Sequence, residues 1–572
     1  MPIRKTWKIL PPAPKKFQNK FPGINDTILN LLYHRVGKDK KSIVSFFRSD
    51  FKKDLHDPFI LSGMTKAAKR ILKAVKAKEK IAIFGDYDVD GITSVTILYD
   101  TLCKLGSAPQ VHIPNRKADG YGMNLKAIDY LNTLGVKLII TVDCGIRDIP
   151  EIEKASEFGI EVIVTDHHLP GEKLPQAYAL INCHLKNEKY PFKDLAGAGV
   201  AYKLACALIQ LAPKRTFKDG YEKWLLDLVA LGTVADMVPL TGENRTLVKY
   251  GLIVLSKTQR VGIRSLFSNA RIPLSDKIPP DTTQISFQIA PRLNAAGRMD
   301  HANASFELLK TESLAEASEI AASLEKKNSE RQRLTDKIVQ AIEERVDDKM
   351  KVVFEGDKDW PVGVAGLAAG KICEKFARPA FVYNISKGQC HGSVRSTSKF
   401  KVVEALEQCR DLLTDYGGHD QAGGFTFPVK NQKKLRLRLK KLAHKILRPE
   451  DLAWETLIDQ RLPLEKINWE LFEDIKKLEP FGVGNSTPLF LAESVELANC
   501  QTVGNGSKHL KMWFRVGNTN IETIAFGKGE KYCSLIPKDN PKLDIVFEIA
   551  SDEWNGQKKL QLIVRDLRLS PK

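Results

Sequence analysis

The sequence predicts a multidomain α/β protein that ends in a small β-barrel, and three observations carry that expectation. At 572 residues the chain exceeds the roughly 250–300 residues at which a single core stops growing. Up to about residue 300, apolar runs that end in carboxylates alternate with stretches of helical spacing, the pattern of a parallel sheet wrapped by helices. From about residue 451 the pattern changes to short alternating strands, which fit a small barrel.

The first element is FGDYDVDGITS (84–94). Its three aspartates, Asp86, Asp88 and Asp90, follow the apolar run Ile81-Ala82-Ile83-Phe84. They precede a stretch in which Val95, Leu98, Leu102 and Leu105 recur at helical spacing, so the segment reads as strand, turn and helix. LNTLGVKLIITVDCG (131–145) repeats the arrangement, with a strand from Val136 to Val142 closed by Asp143. FGIEVIVTDHHLPG (158–171) has a strand from Glu161 to Thr165 closed by Asp166, His167 and His168, and WLLDLVALGTVADMVPL (224–240) is read as a fourth strand end, carrying Asp236.

Taken singly, an aspartate after a strand is most often a helix N-cap and a lone histidine a structural residue. In a parallel α/β sheet, however, residues just past the strand carboxyl ends converge on one crevice. So many carboxylates in one crevice would repel severely without a compensating cation. Carboxylates with imidazoles and no thiolate suit manganese or magnesium better than zinc or copper. Two such ions about 3.5–4 Å apart can activate water, orient a phosphate and stabilise the leaving oxygen of an in-line displacement.

Composition narrows the substrate. Lys+Arg 88 against Asp+Glu 69 gives a net charge of +19 and points to a polyanionic partner, nucleic acid first, with a solubilising surface as the plainer reading. Nine cysteines without a C-x-x-C pair argue against a disulfide framework or a zinc ribbon, so the thiols are expected to be reduced. The N-terminus has no apolar signal region and no stretch approaches the roughly 18 apolar residues of a membrane span. A cytoplasmic protein with no membrane partner is expected.

These residues resemble the DHH phosphoesterases, named for the Asp-His-His triplet that stands here at 166–168, and within them the RecJ family of single-stranded-DNA-specific exonucleases. The resemblance is carried by GDYDVDGITS (85–94), IPNRKADGYGMN (113–124), TVDCGI (141–146), TDHH (165–168), YPFKDLAGAGVAYKLA (190–205), LGTVADMVPL (231–240), GENRTLV (242–248) and IAPRLNAAGRM (289–299). It implies that Asp90, Asp143, His167 and Asp236 hold one metal, and that Asp88 and a bridging Asp143, with Asp86 nearby, hold the other. Asp143, His167 and His168 would be catalytic, His168 contacting the scissile phosphate or bracing the site, while Asp166 orients the histidines. The implied activity is two-metal hydrolysis of single-stranded DNA in the 5′ to 3′ direction, with Mn2+ preferred and Mg2+ possible, in repair and recombination. Single-strand-binding and helicase partners and a monomeric state come with it.

The segment 312–346, charged and free of Pro and Gly, reads as a solvated connecting helix without chemistry. A second α/β region over 347–450 carries KDWPVGVAGLAAGKI, HGSVRSTS and YGGHDQAGGFTF, which resemble the companion DHHA1-type domain. Glycine turns there are expected to expose N–H groups to an oxyanion, with Ser393, Arg395, Gly418 and His419 as phosphate contacts and Arg298 facing the same crevice. Two departures stand out: Trp360-Pro361-Val362-Gly363-Val364 lacks the family's histidine after the tryptophan, and the glycine signature ends Ala422-Gly423-Gly424. Gly363, Gly366 and Gly370 do not have the spacing of a dinucleotide fingerprint.

In the C-terminal region, HLKMWFRV (509–516) places Leu510, Met512, Phe514 and Val516 on one face, and Asn555-Gly556 marks a hairpin between two strands. The resemblance makes this an oligonucleotide-binding (OB-type) barrel, in which Trp513 is either a base-stacking platform or a packing residue. The expected organisation is an N-terminal extension (1–55), a catalytic domain (56–305), the connecting helix (306–346), the DHHA1-type domain (347–450) and the barrel (451–572). Two alternatives remain at this stage: a phosphoesterase of short oligonucleotides or cyclic dinucleotides, which would lack the barrel and the basic excess, and a catalytically inactive nucleic-acid-binding scaffold, which would have lost ligands.

Overall fold

The computed structural model describes residues 5–115, 120, 122–299, 302–347, 349–533, 536, 541–554 and 557–571. Part of the 113–124 motif and the expected Asn555-Gly556 turn therefore lie outside the described residues. The chain divides into two compact units: Met1–Lys5 with Leu55–Val238 and Glu243–Trp454, and Thr6–Asp54 with Pro239–Gly242 and Glu455–Lys572.

The first unit opens with five parallel strands: β1 (Ile81–Gly85), β2 (Gln110–His112), β3 (Leu138–Val142), β4 (Glu161–Thr165) and β5 (Ala179–Ile181). They lie in the order β2-β1-β3-β4-β5. Every residue of β1 and β3 is buried, which is why both read as continuous apolar runs and not as alternating ones. The strand expected from Val136 pairs only from Leu138.

Helix α1 (Val89–Lys104) leaves β1 through the aspartate turn, with Asp88 as its N-cap accepting from Gly91 N at 3.1 Å. It packs on α2 (Gly197–Leu211) and α3 (Leu226–Ala235). The segment read as a fourth strand end is this helix α3, and Asp236 is its C-cap. Nine consecutive residues, Leu226 to Val234, are buried, so the helix is covered all round and shows no exposed face whose periodicity would separate it from a buried strand.

Helix α4 (Ala290–Met299) leads to α5 (Leu314–Glu343), the connecting helix, capped by Ser313, which accepts from Glu316 N at 3.3 Å. It is not simply solvated: Ala317, Ala321, Leu324, Asn328, Thr335, Ile338 and Ile342 are buried along one side.

A mixed sheet follows, of β6 (Val353–Asp357), β7 (Ala380–Ser386), β8 (Gln389–Arg395), β9 (Asp415–His419) and β10 (Ala422–Pro428), in the order β9-β10-β8-β7-β6. Helix α6 (Val362–Phe376) buries Val364, Ala368 and Ile372 with Val353 and Val382 on one face. On the other, α7 (Gln432–Ile446) buries Leu435 and Leu439 with Phe354, Phe381, Phe425 and Phe427. The expected Gly-Ser-x-Arg and Gly-Gly-His turns are strands instead. Gly418 pairs with Gly423 and Gly417 with Gly424, and facing glycines, having no side chain to pack, gave the sequence the look of a loop.

In the second unit, β11 (Phe490–Val503), β12 (His509–Val516), β13 (Thr519–Ala525), β14 (Lys542–Trp554) and β15 (Gln557–Leu569) run in the order β11-β12-β13-β15-β14, and β14 closes on β11. Leu510, Met512 and Phe514 point into this barrel, fully buried, and Val516 is half-buried against its core. Helix α8 (Trp469–Lys476) precedes the barrel. The N-terminal segment shares its core: Phe17, Phe21, Ile28 and Leu32 belong to the same apolar cluster as Leu510 and Phe547. Among the described residues, no helix is long and apolar enough to cross a membrane.

Arg35 Nη2 donates to Asp459 Oδ1 at 2.8 Å, while Asp459 Oδ2 accepts from Leu489 N at 2.8 Å, tying the N-terminal helix to the barrel entrance. The pair is largely buried, with side chains 8% and 12% exposed. Asp459→Ala strands the Arg35 charge and is expected to cost about 3–5 kcal/mol. Arg35→Met with Asp459→Leu should restore most of it, as read from the denaturant midpoint of the unit's tryptophan fluorescence.

Candidate metal centre

Because β1, β3 and β4 are adjacent and parallel, their carboxyl ends deliver side chains to a single edge. Asp86 and Asp88 come from the turn after β1, Asp90 from the first turn of α1, Asp143 from the residue after β3, His167 and His168 from the loop after β4, and Asp236 from the end of α3. Three overlapping groups result, each with ligand atoms within 4.8 Å of one another: Asp90, His167 and Asp236; Asp86, Asp88 and Asp143; Asp143, His167 and His168. Asp143 and His167 each belong to two of them. His167 Nε2 lies 3.1 Å from Asp143 Oδ1, 3.7 Å from Asp236 Oδ2 and 3.9 Å from Asp90 Oδ2.

The backbone is built around these carboxylates. Asp90 accepts from Gly197 N at 2.6 Å and Ala198 N at 2.8 Å, so the N-terminus of α2 points at it. A Cβ on Gly197 would come within 2.6 Å of Asp143 Oδ1, and one on Gly232 within 2.7 Å of Asp90 Oδ1, so only glycine permits both approaches. Asp143 has φ +60°, a left-handed conformation unusual for a non-glycine residue and typical of functional sites. Sequence reading missed these glycine contacts; the AGAG run at 196–199 was their one visible signal.

Burial and mutual repulsion act together on the acids. Asp90 is raised well above the carboxylate range by burial, then by Asp236 and Asp88; Asp143 is raised by burial, then by Asp90, Asp88 and Asp86. Burial and Asp88 push Asp236 up to about 6. His167 is lowered to about 4 by burial and by His168, which keeps its imidazole neutral with a lone pair to give.

Asp166 behaves differently. Its Oδ1 accepts from His167 N at 2.7 Å, from His168 N at 3.0 Å and from His168 Nδ1 at 2.8 Å, and its Oδ2 accepts from Ile146 N at 3.0 Å. Against the cost of burial, these donors, led by His168, hold it below the usual carboxylate range. In turn the Asp166 contact outweighs burial and raises His168. Asp166 thus orients the Asp-His-His loop from behind. A further carboxylate not singled out from the sequence, Asp148, is raised by burial to about 6 and accepts from Met123 N at 2.7 Å.

The donor set suits a hard divalent cation. Among the described residues nothing hydrogen-bonds to the buried His167 Nε2 or Asp236 Oδ2, although both converge on the same acids. Cys144, next to Asp143, is turned away, its Sγ 3.8 Å from the Phe84 carbonyl and its thiol raised by burial, so no thiolate enters the groups.

Of the residues expected to contact phosphate, Ser393 and Arg395 lie against α6, while Gly418 and His419 are on the edge strand β9. A Cβ on Gly366 would sit 3.4 Å from Ser393 Oγ and from Arg395 Nη2, so both side chains point to that helix. Arg395 stands in register with Ala422, and Ala422 with His419, across β8, β10 and β9. Helix α4 links this cluster to the acids: a Cβ on Gly297 would lie 3.1 Å from the Tyr87 carbonyl in the aspartate turn, and one on Gly363, at the start of α6, would lie 2.5 Å from the Arg298 carbonyl. The segment that lacks the family histidine starts α6, with Trp360 buried and Pro361 as N-cap. In the barrel unit Trp513 lines a groove with Trp469, Lys511 and Lys559, the Lys511 ammonium 5.3 Å from its ring. Trp469, on α8, has no periodicity that connects it to Trp513 in sequence.

A parallel sheet whose strand ends gather this acid and histidine set, followed by a mixed-sheet companion and a closed barrel, defines a DHH-type metal-dependent phosphoesterase. Residues 80–233 match the DHH family N-terminal domain, 347–445 the DHHA1 domain and 458–566 the RecJ OB domain. The chain belongs to the RecJ exonuclease family: it is 37% identical to the single-stranded-DNA-specific exonuclease RecJ of Bacillus subtilis over 99% of its own length and 71% of that protein. Its fold is similar to RecJ of Thermus thermophilus in complex with Mn2+ (29% identity, TM-score 0.84, all of this chain and 80% of that one). The same protein with Mg2+ matches at 28% identity and a TM-score of 0.78, over all of this chain and 79% of that one.

Below pH about 6 the metal-free Asp236 carries a proton that a cation must displace. Apparent Mn2+ affinity is therefore expected to rise between about pH 5 and 7, with proton release shrinking above pH 6. A raised folded-state pKa also means that this group stabilises the metal-free fold fully below its unfolded value near 3.9 and that the contribution is lost as pH rises through about 6. Calorimetric titration in buffers of different ionisation enthalpy tests the first point; an affinity flat over that range contradicts it.

Proposed function

We propose that this chain is a single-stranded-DNA-specific exonuclease that hydrolyses phosphodiester bonds from the 5′ end with two divalent ions, Mn2+ foremost and Mg2+ as the alternative, in the repair and recombination of DNA. The observation that carries the reading is the sharing of Asp143 and His167 between adjoining ligand groups, the layout of a paired metal centre. Asp90, His167 and Asp236 would hold one ion, Asp86 and Asp88 the other, and Asp143 would bridge them. Ions held there supply Lewis-acid charge to water and to the phosphoryl oxygens.

The chain's own residues do the rest. His167 stays neutral and offers its lone pair, while Asp166 fixes His168 through Nδ1 and leaves its other nitrogen to donate to a phosphate oxygen. Arg298, Ser393, Arg395, Gly418 and His419 are the phosphate-binding residues of the first unit, and the Trp513 groove of the barrel unit is a surface on which bases can stack. The full set of acids and histidines speaks against an inactive scaffold, and the barrel against a phosphoesterase confined to short oligonucleotides or cyclic dinucleotides.

Asp143→Ala is expected to abolish turnover with the fold intact and to raise the melting temperature of the metal-free protein, because it removes an anion from a crowded site. Degradation of 5′- and 3′-labelled single strands and duplexes in Mn2+, Mg2+ or chelator reads out polarity, strand preference and this loss. Activity within tenfold of the parent would overturn the bridging role. Arg395 is assigned to the terminal 5′ phosphate, since a guanidinium fork matches phosphate oxygens as no lysine does. Arg395→Ala should cost about 1.5–3 kcal/mol in kcat/KM on 5′-phosphorylated strands and little on 5′-hydroxyl strands. An unchanged ratio between the two substrates would show that Arg395 does not sense the end.

A further inference from the structure

Residues 421–448 contain nine Lys or Arg and no Asp or Glu, a run that the catalytic reading leaves unused. Most of it is helix α7. Lys433, Lys434, Leu437, Lys440, Lys441, His444 and Lys445 recur at i, i+1, i+4, i+7, i+8, i+11 and i+12, one side of a helix, and all are exposed. The opposite side, Leu435, Leu439 and Ala443, is fully buried in the core of the mixed sheet. The arginines at the flanks are engaged: Arg436 Nη2 lies 3.1 Å from Glu355 Oε1, and Arg438 pairs with Asp411. Among the described residues no carboxylate pairs with Lys433, Lys434, Lys440, Lys441 or Lys445. An ordinary solvated face mixes both signs.

The placement matters as much as the charge. Ser393 and Arg395 point to α6, and α6 adjoins the Arg298 carbonyl. Val394, between them in sequence, points the other way into the core under α7. The lysine stripe therefore lies behind the mixed sheet, with that sheet between it and the phosphate contacts of the crevice. Its apolar side is spent on the core, so it has no surface to insert into a bilayer. The stripe has no Phe, Tyr or Trp on which unpaired bases would stack. It runs about 18 Å, the rise of twelve helical residues, long enough to meet about five successive phosphates of one duplex strand.

We infer that α7 is a second nucleic-acid site, a docking rail for the phosphate backbone of duplex DNA, separate from the crevice that takes the single strand. A strand held in the crevice and a duplex held on the rail would belong to one tailed molecule. Duplex binding by the stripe stands on its charge and position, while its separation from a crevice that holds the single strand rests on the proposed function.

The test uses the full chain in chelator, a blunt 20-base-pair duplex and the variant K433Q/K434Q/K440Q/K441Q, with glutamine chosen to keep helix propensity. A second variant, K16Q/K20Q/K52Q/K53Q, removes the same charge elsewhere on the surface. The stripe variant is expected to bind the duplex at least tenfold more weakly at 0.1 M salt. The slope of log affinity against log salt should fall by about 3 to 4, close to 0.9 per lost phosphate contact. The control variant should change affinity less than threefold, and hydrolysis of a short single strand in Mn2+ should be unaltered in both. Parental duplex affinity and slope in the stripe variant, or an equal loss in the control, overturns the inference. So does unchanged duplex binding with lost binding of a ten-residue polyglutamate peptide, which would make the stripe a protein-docking surface.

Discussion

Everything around the metal centre is organised by the electrostatic cost of holding Asp86, Asp88, Asp90, Asp143 and Asp236 together under cover. An isolated buried carboxylate protonates to avoid that cost, and Asp90, Asp143 and Asp236 are all displaced in that direction. The fold offsets part of it with its own dipoles. The N-terminus of α2 gives Asp90 two N–H groups, and glycines at 197 and 232 remove the side chains that would keep backbone and carboxylate apart. The remainder is of the kind a divalent cation would offset, and the oxygen and imidazole donors suit a hard ion.

A parallel sheet suits this purpose because it separates the work of stability from the work of chemistry. Strands β1 and β3 are buried end to end, so the residues immediately past them are held by a core that does not depend on the site. Asp166 extends the same logic. It holds the two histidines from behind through three hydrogen bonds, from both backbone N–H groups and from His168 Nδ1, and is itself anchored by a fourth from Ile146 N.

The two faces of the mixed sheet divide in a comparable way. One carries glycines in α6 that let Ser393 and Arg395 come close, and it connects through α4 to the aspartate turn. The other is covered by α7, whose buried leucines close the core while its lysines crowd the outer surface. A single sheet thus carries Ser393 and Arg395 on one side and a lysine-rich helix face on the other. The net charge of +19 is not evenly spread, and α7 is one place where it concentrates.

The sequence by itself determined the strands of the parallel sheet, the acids and histidines at their ends, the long helix and the alternating strands of the barrel. In each case a short-range signal, an apolar run, a stretch free of Pro and Gly or a period of two, coincides with the structural element. It did not determine that Asp236 ends a helix, because a helix buried all round has no periodic exposed face to reveal it. Nor did it reveal that the glycine motifs at 392 and 417–418 are strands, that Trp469 lines a groove with Trp513, or that residues 6–54 share a core with the barrel over four hundred residues away. Those features rest on pairing between segments remote in sequence. Only the tertiary structure decided them, because the free energy that fixes each one comes from burial against a partner that local sequence does not specify.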